Sequence, residues 1–389
     1  MRRFFSIIKF IFLLQFHILF SNFQKKTETI VLGAESIEEF LPMLEDKNIG
    51  LVSNSSSILR NGKKSVHLLD TLIKLNQKIR AVFAPEHGFL SNKENGAFVY
   101  NYFDSDRKVD VYSIYGKNKK PNPEQLKDIN LMIFDLQDVG ARFYTYLSTL
   151  YYTMEACAEN KIPLIILDRP NPNGHYIDGP ILETEFMSFV GIIEIPIVHG
   201  MTLGEIAKMI NGENLIHSKC ELEVIKLKNY THNLQYELPL PPSPNLPNEI
   251  SINLYPSLCL FEQTPISIGR GTNLQFQIFG NPKFKSTFSF IPRPNLGSQN
   301  PKHDGFICYG KDLRMTERLS KVEIKWLIDA YNQYPEKDNF FYSGFSLLAG
   351  TKNLEEQIKN NLSEKEIRKS WENGLKKFKK IREKYLLYP

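Results

Sequence analysis

The stretch AVFAPEHGFL, residues 81–90, ends an apolar run with a carboxylate and an imidazole side by side. Residues 79–85, IRAVFAP, have the composition of a buried strand, and Glu86, His87 and Gly88 follow directly. A strand with a continuous apolar run is typical of a parallel sheet that is covered on both faces. The stretch therefore predicts a buried parallel strand that ends in a polar site.

The same pattern recurs on both sides of this stretch. Further buried strands are predicted at residues 49–54, 109–116, 131–137 and 162–172. Helical spacing of apolar residues predicts helices at residues 65–75 and 147–160. Strands that alternate with helices indicate an α/β fold, here a Rossmann-like doubly wound parallel sheet.

The second half of the chain has a different character. A helix is predicted at 202–211, a strand at 221–227 and a long amphipathic helix at 363–388, with Ser363 as its N-cap. The proline-rich residues 238–249 are not expected to form regular structure. With 389 residues, two domains are the expectation. We predict a Rossmann-like catalytic domain over residues 25–200 and a smaller α/β domain over 201–389 that closes a cleft.

Residues 1–24 are predicted to lie outside the fold. This segment has three basic residues, Arg2, Arg3 and Lys9, and an apolar run that extends to Phe20. A basic start followed by an apolar run is the pattern of a signal peptide. An uncleaved N-terminal anchor is the alternative, and it would be the protein's one link to a membrane. Either way we expect an exported protein, periplasmic or extracellular. The sequence leaves the oligomeric state open.

Composition narrows the class of protein further. The net charge is +5, with 48 basic and 43 acidic residues, which does not indicate a nucleic-acid partner. The cysteines form no C-x-x-C pair and lie in apolar patterns, so we predict buried free thiols. They are Cys157, Cys220, Cys259 and Cys308. No His, Asp and Cys cluster has convincing metal spacing, and neither a metal nor another cofactor is predicted.

Ligands of open parallel sheets bind at the carboxyl ends of the strands, so polar residues there are candidates for a site. They are Asn54, Glu86, His87, Gln137, Asp138, Arg142, Asp168 and Asn171. The first strand is not followed by G-x-G-x-x-G, which argues against a dinucleotide site.

Each candidate has a structural alternative. Glu86 suits a general acid, but Glu86 and His87 are equally consistent with a turn that closes the strand. Asp138 and Arg142 suit an anionic or hydroxyl-rich ligand, or a salt bridge with each other. The run DRPNP, residues 168–172, is explained equally well by a turn.

Two further regions carry candidates. Arg270 lies between two glycines, which allows close backbone approach to a bound carboxylate, and Glu262 precedes it by one loop. A structural turn is the alternative. His199 is a further candidate for the site, together with Ser243 and Asn245 of the run PPSPNLP.

Longer runs carry a family resemblance. These runs include FAPEHGF, FDLQDVGARFYTYLSTL, LDRPNPNG, PPSPNLP and YPSLCLFEQTPISIGRGT, in order between about residue 48 and residue 389. They resemble the NamZ-type exo-β-N-acetylmuramidases, a bacterial family long described as a domain of unknown function. The resemblance covers nearly the whole chain after its N-terminal segment.

The resemblance implies an N-terminal Rossmann-like domain, a smaller C-terminal domain and a cleft between them. It implies release of terminal N-acetylmuramic acid from the non-reducing end of peptidoglycan fragments. The glutamate of the P-E-H-G motif, expected to be the catalytic acid, is Glu86 here. Two departures affect substrate detail: the loop after Gly88 reads FLSNKENGAF, and residues 262–265 read EQTP where the family has EGTN.

These inferences combine into a glycoside hydrolase. Glu86 would protonate the leaving glycosidic oxygen, and His87 would support it or contact the sugar. A second group is usual in glycosidases, and Asp138, Asp168, Glu262 and the substrate's own acetamido group are the candidates. Arg270 or Arg142 would pair with the lactyl carboxylate of muramic acid.

Two other classes of protein remain open at this stage. One is a non-catalytic muropeptide-binding protein on the same scaffold. The other is a metal-dependent or nucleotide-dependent hydrolase.

Overall fold

A central parallel sheet organises the protein. The computed structural model describes residues 29–61, 64–94 and 96–389, so the predicted signal or anchor over 1–24 lies outside the described residues. The strands are β1 (Asn48–Ser53), β2 (Ile58–Asn61), β3 (Lys64–His67), β4 (Lys78–Ala84), β5 (Tyr102–Asp104), β6 (Val109–Ser113), β7 (Leu131–Asp135), β8 (Leu164–Leu167), β9 (Asp178–Ile181), β10 (Pro196–Val198), β11 (Leu222–Ile225), β12 (Ile278–Asn281), β13 (Phe288–Phe290) and β14 (Cys308–Asp312).

The α-helices surround this sheet and form much of the C-terminal region. They are α1 (Ile37–Phe40), α2 (Leu68–Lys74), α3 (Pro123–Leu126), α4 (Tyr146–Asn160), α5 (Leu203–Gly212), α6 (Glu249–Leu258), α7 (Lys325–Gln333), α8 (Phe345–Ala349), α9 (Asn353–Lys359) and α10 (Glu364–Arg382). Ser363 accepts a hydrogen bond from the Glu366 amide, which confirms the predicted N-cap of α10.

The main sheet has seven strands in the order β11-β8-β7-β1-β4-β6-β5. Neighbours pair in parallel except β5, which is antiparallel to β6 at the edge. This confirms the predicted α/β fold with a mostly parallel sheet. The sequence assigned residues 221–227 to the second half of the chain, whereas the structure adds β11 to this first sheet.

Alternate residues of the strands feed two separate cores. On one face, Met132 and Phe134 of β7 join a large cluster with residues of α4, such as Leu147. On the other face, Leu131 and Ile133 join a smaller cluster with residues of α2. Both faces are therefore covered, and this explains why β7 is buried along its whole length.

One predicted helix needs correction. Residues 65–75 were expected to be helical throughout, but residues 64–67 form β3, which pairs with β2 in a hairpin. Helix α2 begins at Leu68, where His67 Nδ1 accepts a hydrogen bond from the Leu69 amide. The run SVHLLD is compatible with the apolar spacing of a strand and with that of a helix. Pairing with β2 makes its first residues a strand.

The C-terminal region adds a small antiparallel sheet in the order β12-β14-β13. Residues 31–389 form one compact unit, and the predicted division at residue 200 stays a prediction. The four cysteines are buried and free, as predicted. Within the described part of the chain, no helix is both long and apolar enough to cross a membrane.

Candidate active site

A cavity of about 410 Å³ lies where β4, β6 and β7 end. Six of the sequence-predicted site residues line it. They are Glu86, His87, Ser243, Asn245, Glu262 and Arg270. Residues more than 180 positions apart in sequence thus meet at one edge of the sheet.

The turn after β4 places the first two of these side chains. Glu86 and His87 are 5% and 6% exposed. His87 and Gly88 both have left-handed backbone, with φ of 70° and 76°. This conformation is unfavourable for histidine and is characteristic of functional turns. The chain accepts local strain here, and the turn presents both side chains to the cavity.

Two segments hold the Glu86 carboxyl group. Thr145 Oγ1 lies 2.6 Å from Oε2, and the Gly96 amide donates to Oε1 at 3.2 Å. Tyr115 lines the same cavity, and burial together with Glu86 raises the pKa of Tyr115. The carboxyl orientation is therefore set before any ligand binds. Sequence reasoning missed Thr145 and Gly96 as partners, because nothing in their local pattern connects them to Glu86.

His87 has a defined tautomer. Its Nδ1 lies 2.8 Å from the Lys93 carbonyl oxygen, which only accepts hydrogen bonds, so Nδ1 carries the proton. Burial lowers the pKa of His87, although Glu86 acts in the opposite direction. A neutral ring with its proton on Nδ1 leaves Nε2 as a hydrogen-bond acceptor.

Arg270 provides positive charge at the cavity. Its Nε donates to Glu262 Oε1 at 2.6 Å, and its guanidinium lies 5.2 Å from the centre of the Phe276 ring. Gly269 and Gly271 on either side both have positive φ, so the predicted tight turn is present. Arg270 Nη1 is buried without a hydrogen-bond partner. The side chain as a whole is 18% exposed and lines the cavity, so the guanidinium group is placed to meet an anionic group of a ligand.

Aromatic side chains form much of the remaining wall. Tyr144, Tyr255 and Phe276 pack edge to face, and the Tyr144 hydroxyl donates to the Pro242 carbonyl at 3.0 Å. Phe189 also lines the cavity, although the sequence reasoning did not select it. Tyr144 lines the cavity, whereas the neighbouring Tyr146 does not.

The other candidate residues do not line this cavity. They are Asn54, Gln137, Asp138, Arg142, Asp168, Asn171 and His199. All are buried, and most of their polar atoms bond to the protein. Asn54 Nδ2, for example, lies 2.6 Å from the hydroxyl of Tyr146, which packs in the core. Gln137 donates to the carbonyls of Asp138 and Pro170, both at 2.8 Å.

Arg142 is one of these buried side chains with structural partners. Its two terminal nitrogens donate to the carbonyls of Pro180, Ile195, Leu348 and Ala349 at 2.8 to 3.0 Å. Burial lowers its pKa to about 9. The side chain joins distant segments, and it does not reach the cavity as a partner for a ligand carboxylate.

Asp168 and Asn171 also have structural partners. Asp168 accepts hydrogen bonds from Thr202 and Tyr388, both at 2.7 Å, and burial raises its pKa to about 6. Asn171 donates to the Met201 carbonyl at 2.8 Å. These contacts connect the end of β8 to the segment before α5.

Asp138 and His199 form a buried pair behind the cavity wall. Asp138 Oδ2 accepts from the Gly140 amide at 2.6 Å and lies 3.9 Å from His199 Nε2. Burial raises the pKa of Asp138 to about 7 and lowers that of His199 to about 3. Of the three carboxylates considered as a second catalytic group, Glu262 is the one that lines the cavity. No group of three or more potential metal ligands was found in the described ranges.

The cavity combines a fixed carboxyl, a neutral imidazole, a partly exposed arginine and aromatic surface. Together with the sheet, these define an α/β protein whose site suits a hydroxyl-rich ligand with an anionic substituent.

Comparison with known proteins agrees with this class. The family model described as exo-β-N-acetylmuramidase NamZ, N-terminal, matches residues 49–250, and its C-terminal counterpart matches residues 253–388. A Bacillus subtilis (strain 168) protein named peptidoglycan β-N-acetylmuramidase NamZ is 40% identical over 390 residues. The match covers 94% of this chain and 93% of that protein. The chain belongs to the NamZ family, as the sequence motifs predicted.

Solved structures show the same fold. Two DUF1343 family proteins from Bacteroides fragilis NCTC 9343 superpose with TM-scores of 0.85 and 0.80. Their sequence identities to this chain are 42% and 29%. They cover 93% and 92% of this chain, and 99% of each solved chain is matched.

Proposed function

We propose that this chain is an exo-β-N-acetylmuramidase, a glycoside hydrolase that releases terminal N-acetylmuramic acid from the non-reducing end of peptidoglycan fragments. Family membership and the name of the Bacillus subtilis relative support the reaction class. The observation that carries the proposal is Glu86, a buried carboxyl at the cavity that is held by hydrogen bonds from Thr145 and the Gly96 amide.

Glu86 is the general acid in this proposal. It gives its proton to the glycosidic oxygen as the bond to the anomeric carbon breaks. Thr145 and the Gly96 amide hold the carboxyl group in one orientation, so little ordering is required when substrate arrives.

His87 Nε2 is the acceptor for a hydrogen bond from the sugar or from the attacking water. The Lys93 carbonyl fixes this role, because it keeps the ring proton on Nδ1. Glu262 is engaged by Arg270 at 2.6 Å, so we assign it the role of orienting that arginine.

Arg270 is the partner of the lactyl carboxylate. Its guanidinium is partly exposed at the cavity, which supports a charge-assisted hydrogen bond to this group. N-acetylglucosamine lacks the lactyl group and would leave the arginine without this partner. Such a loss is the usual basis for strong discrimination between related substrates.

The test measures sugar release from a chromogenic β-N-acetylmuramide and from the matching N-acetylglucosaminide. We expect the wild type to cleave the muramide only. Glu86→Gln removes the transferable proton and should lower kcat by about 10²-fold or more, whereas the exposed Glu372→Gln should leave it unchanged.

Other outcomes favour the alternative classes. A folded wild type that binds muropeptide but releases neither sugar would support a non-catalytic binding protein. Activity that is abolished by a chelator and restored by a divalent metal would support a metal-dependent hydrolase.

Export is a second part of the proposal. The basic residues and apolar run within residues 1–24 support a signal peptide or anchor, and a peptidoglycan substrate lies outside the cytoplasmic membrane. Cell fractionation tests it, with recovery of the protein in the cytoplasmic fraction as the contrary result.

A further inference from the structure

Lys119 lines the catalytic cavity, and the mechanism above does not use it. It follows β6 in the run GKNKKP, residues 116–121, and was not among the candidates drawn from the sequence. Strand β6 pairs in parallel with β4, so the loop after β6 begins at the edge of the sheet where the P-E-H-G turn lies. Lys119 thus belongs to the same wall system as Glu86.

An aromatic side chain positions the Lys119 ammonium group. Its Nζ lies 5.1 Å from the centre of the Phe189 ring, and Phe189 lines the cavity as well. The Phe189 ring packs near Tyr115 and stacks on Tyr152, with ring centres 5.7 and 6.2 Å away. A cation is attracted to an aromatic face, but the ring has no net charge. The contact therefore orients the lysine and leaves its charge uncompensated.

The neighbouring Lys120 has different partners. Its Nζ forms ion pairs with Glu155 and Glu159 of α4, at 2.8 and 2.7 Å. Within the described part of the chain, no acidic side chain forms an ion pair with Lys119. Lys120 therefore attaches the loop to α4, and Lys119 can meet a ligand.

The charges at the cavity do not balance. Arg270 and Glu262 compensate each other through their contact at 2.6 Å. Burial lowers the pKa of His87, which favours its neutral ring. Glu86 is uncharged in the protonated form that a general acid needs at the start of the reaction. Among the described residues that line the cavity, Lys119 is then the charge without a counter-charge.

We infer that Lys119 is a second recognition residue for the lactyl carboxylate of N-acetylmuramic acid, and that it supplies the net positive charge at the cavity. The inference rests on the proposed function, because that substrate is named there. A carboxylate has two oxygens, which can accept hydrogen bonds from two different cations. Arg270 is held by Glu262, whereas the flexible stem of Lys119 lets its ammonium group follow the ligand.

The test compares the chromogenic β-N-acetylmuramide with its lactyl methyl ester, which has the same ring and leaving group but no negative charge. Lys119→Met removes the ammonium group and keeps the apolar stem, whereas Lys119→Arg keeps the charge. The matched control is Lys117→Met. It removes the same charge from an exposed residue of the same loop that does not line the cavity.

Lys119 is partly exposed, so solvent screens its ion pair with the ligand and the expected effect is moderate. We expect Lys119→Met to lower kcat/KM for the muramide about fivefold to tenfold, mainly through a higher KM. Cleavage of the methyl ester should stay within about twofold of the wild-type value. Lys119→Arg should retain most of the activity, and Lys117→Met should match the wild type on both substrates.

Three kinetic results would overturn the inference. They are equal losses by Lys119→Met on muramide and ester, no loss on either substrate, and an equal loss in Lys117→Met. The first would show a structural effect of the substitution, and the last would show general attraction between the protein and an anion.

A binding measurement separates this inference from the proposed reaction. NMR titration with free N-acetylmuramic acid and with its methyl ester needs no turnover. Wild type and Lys117→Met should prefer the acid, and a preference reduced about threefold or more in Lys119→Met would support the inference even if no glycoside were cleaved. The same preference in all three proteins, or no binding of the acid by the wild type, would contradict it.

Discussion

The P-E-H-G turn shows how backbone strain serves a site at the scale of single residues. A left-handed histidine costs about 1–3 kcal/mol, and the cost is tolerated where the surroundings hold it. Here the Lys93 carbonyl holds the His87 ring, and Thr145 holds the Glu86 carboxyl group. The strained turn therefore places two adjacent side chains, Glu86 and His87, at one cavity.

The first prediction concerns Thr145 as a positioning residue. Thr145→Val keeps the shape of the side chain but removes the donor 2.6 Å from Glu86, so kcat should fall about tenfold with little change in KM. Thr145→Ser keeps a hydroxyl and should retain most of the activity. Steady-state kinetics on the chromogenic muramide measure both.

A matched control lies one turn further along the same helix. The Thr149 hydroxyl donates to the Thr145 carbonyl at 3.1 Å. If Thr149→Val lowered kcat as much as Thr145→Val does, the effect would come from the start of α4 and the positioning role would be rejected.

Sequence reasoning found only part of this site. Glu86 and His87 were identifiable because they directly follow a buried strand in the chain. Arg142 lies in the segment between a buried strand and the next helix, yet its partners include the carbonyls of Leu348 and Ala349, 206 and 207 residues away. Thr145 is 59 residues from Glu86. Contacts across such separations depend on the tertiary fold, which a local pattern does not contain.

At the scale of secondary-structure elements, buried strands were predicted more accurately than the short strands of the C-terminal sheet. Strands β1, β4 and β7 were predicted to within about two residues because continuous apolar runs mark them. The short strands β12, β13 and β14 of the C-terminal sheet were not predicted individually. Strands β13 and β14 are partly exposed and lack a clear period, and β12 is buried but only four residues long. Pairing with neighbours determines their conformation.

The connection between β7 and α4 carries a prediction on pH. Burial raises the pKa of Asp138 to about 7, above its ordinary value of 3.8. The folded state then binds a proton that the unfolded state has lost, so this contribution to stability is full below pH 4 and disappears as pH rises through 7. Asp138→Asn removes the titration, and its stability relative to wild type should increase between pH 5 and 7.

The increase should be at most about 1.4 kcal/mol per pH unit and should level off above pH 7. Urea unfolding at pH 5, 6, 7 and 8 measures it, with the exposed Asp128→Asn as the control. His199, whose pKa is lowered to about 3, is present in all three proteins. Parallel stability curves for wild type and Asp138→Asn would refute the prediction.

At the scale of the whole molecule, the C-terminal tail forms hydrogen bonds with segments that are distant in sequence. Arg382 donates to the Gly200 carbonyl at 2.6 Å, and the Leu387 amide donates to Glu205 at 2.8 Å. The Tyr388 hydroxyl lies 2.7 Å from Asp168, at the end of β8. The terminal run REKYLLYP has no local pattern that predicts these contacts with the end of the main sheet.

The last prediction tests whether the contacts of the C-terminal tail stabilise the fold without contributing to catalysis. Tyr388→Phe removes the donor to Asp168 and the acceptor for the Leu227 amide, so the free energy of unfolding should fall by about 1–3 kcal/mol. Neither Tyr388 nor Asp168 lines the catalytic cavity, so kcat/KM should stay unchanged. Urea unfolding and kinetics on the muramide decide it, with the 43% exposed Tyr342→Phe as control. If Tyr388→Phe lost activity at unchanged stability, Asp168 would return as a member of the active site.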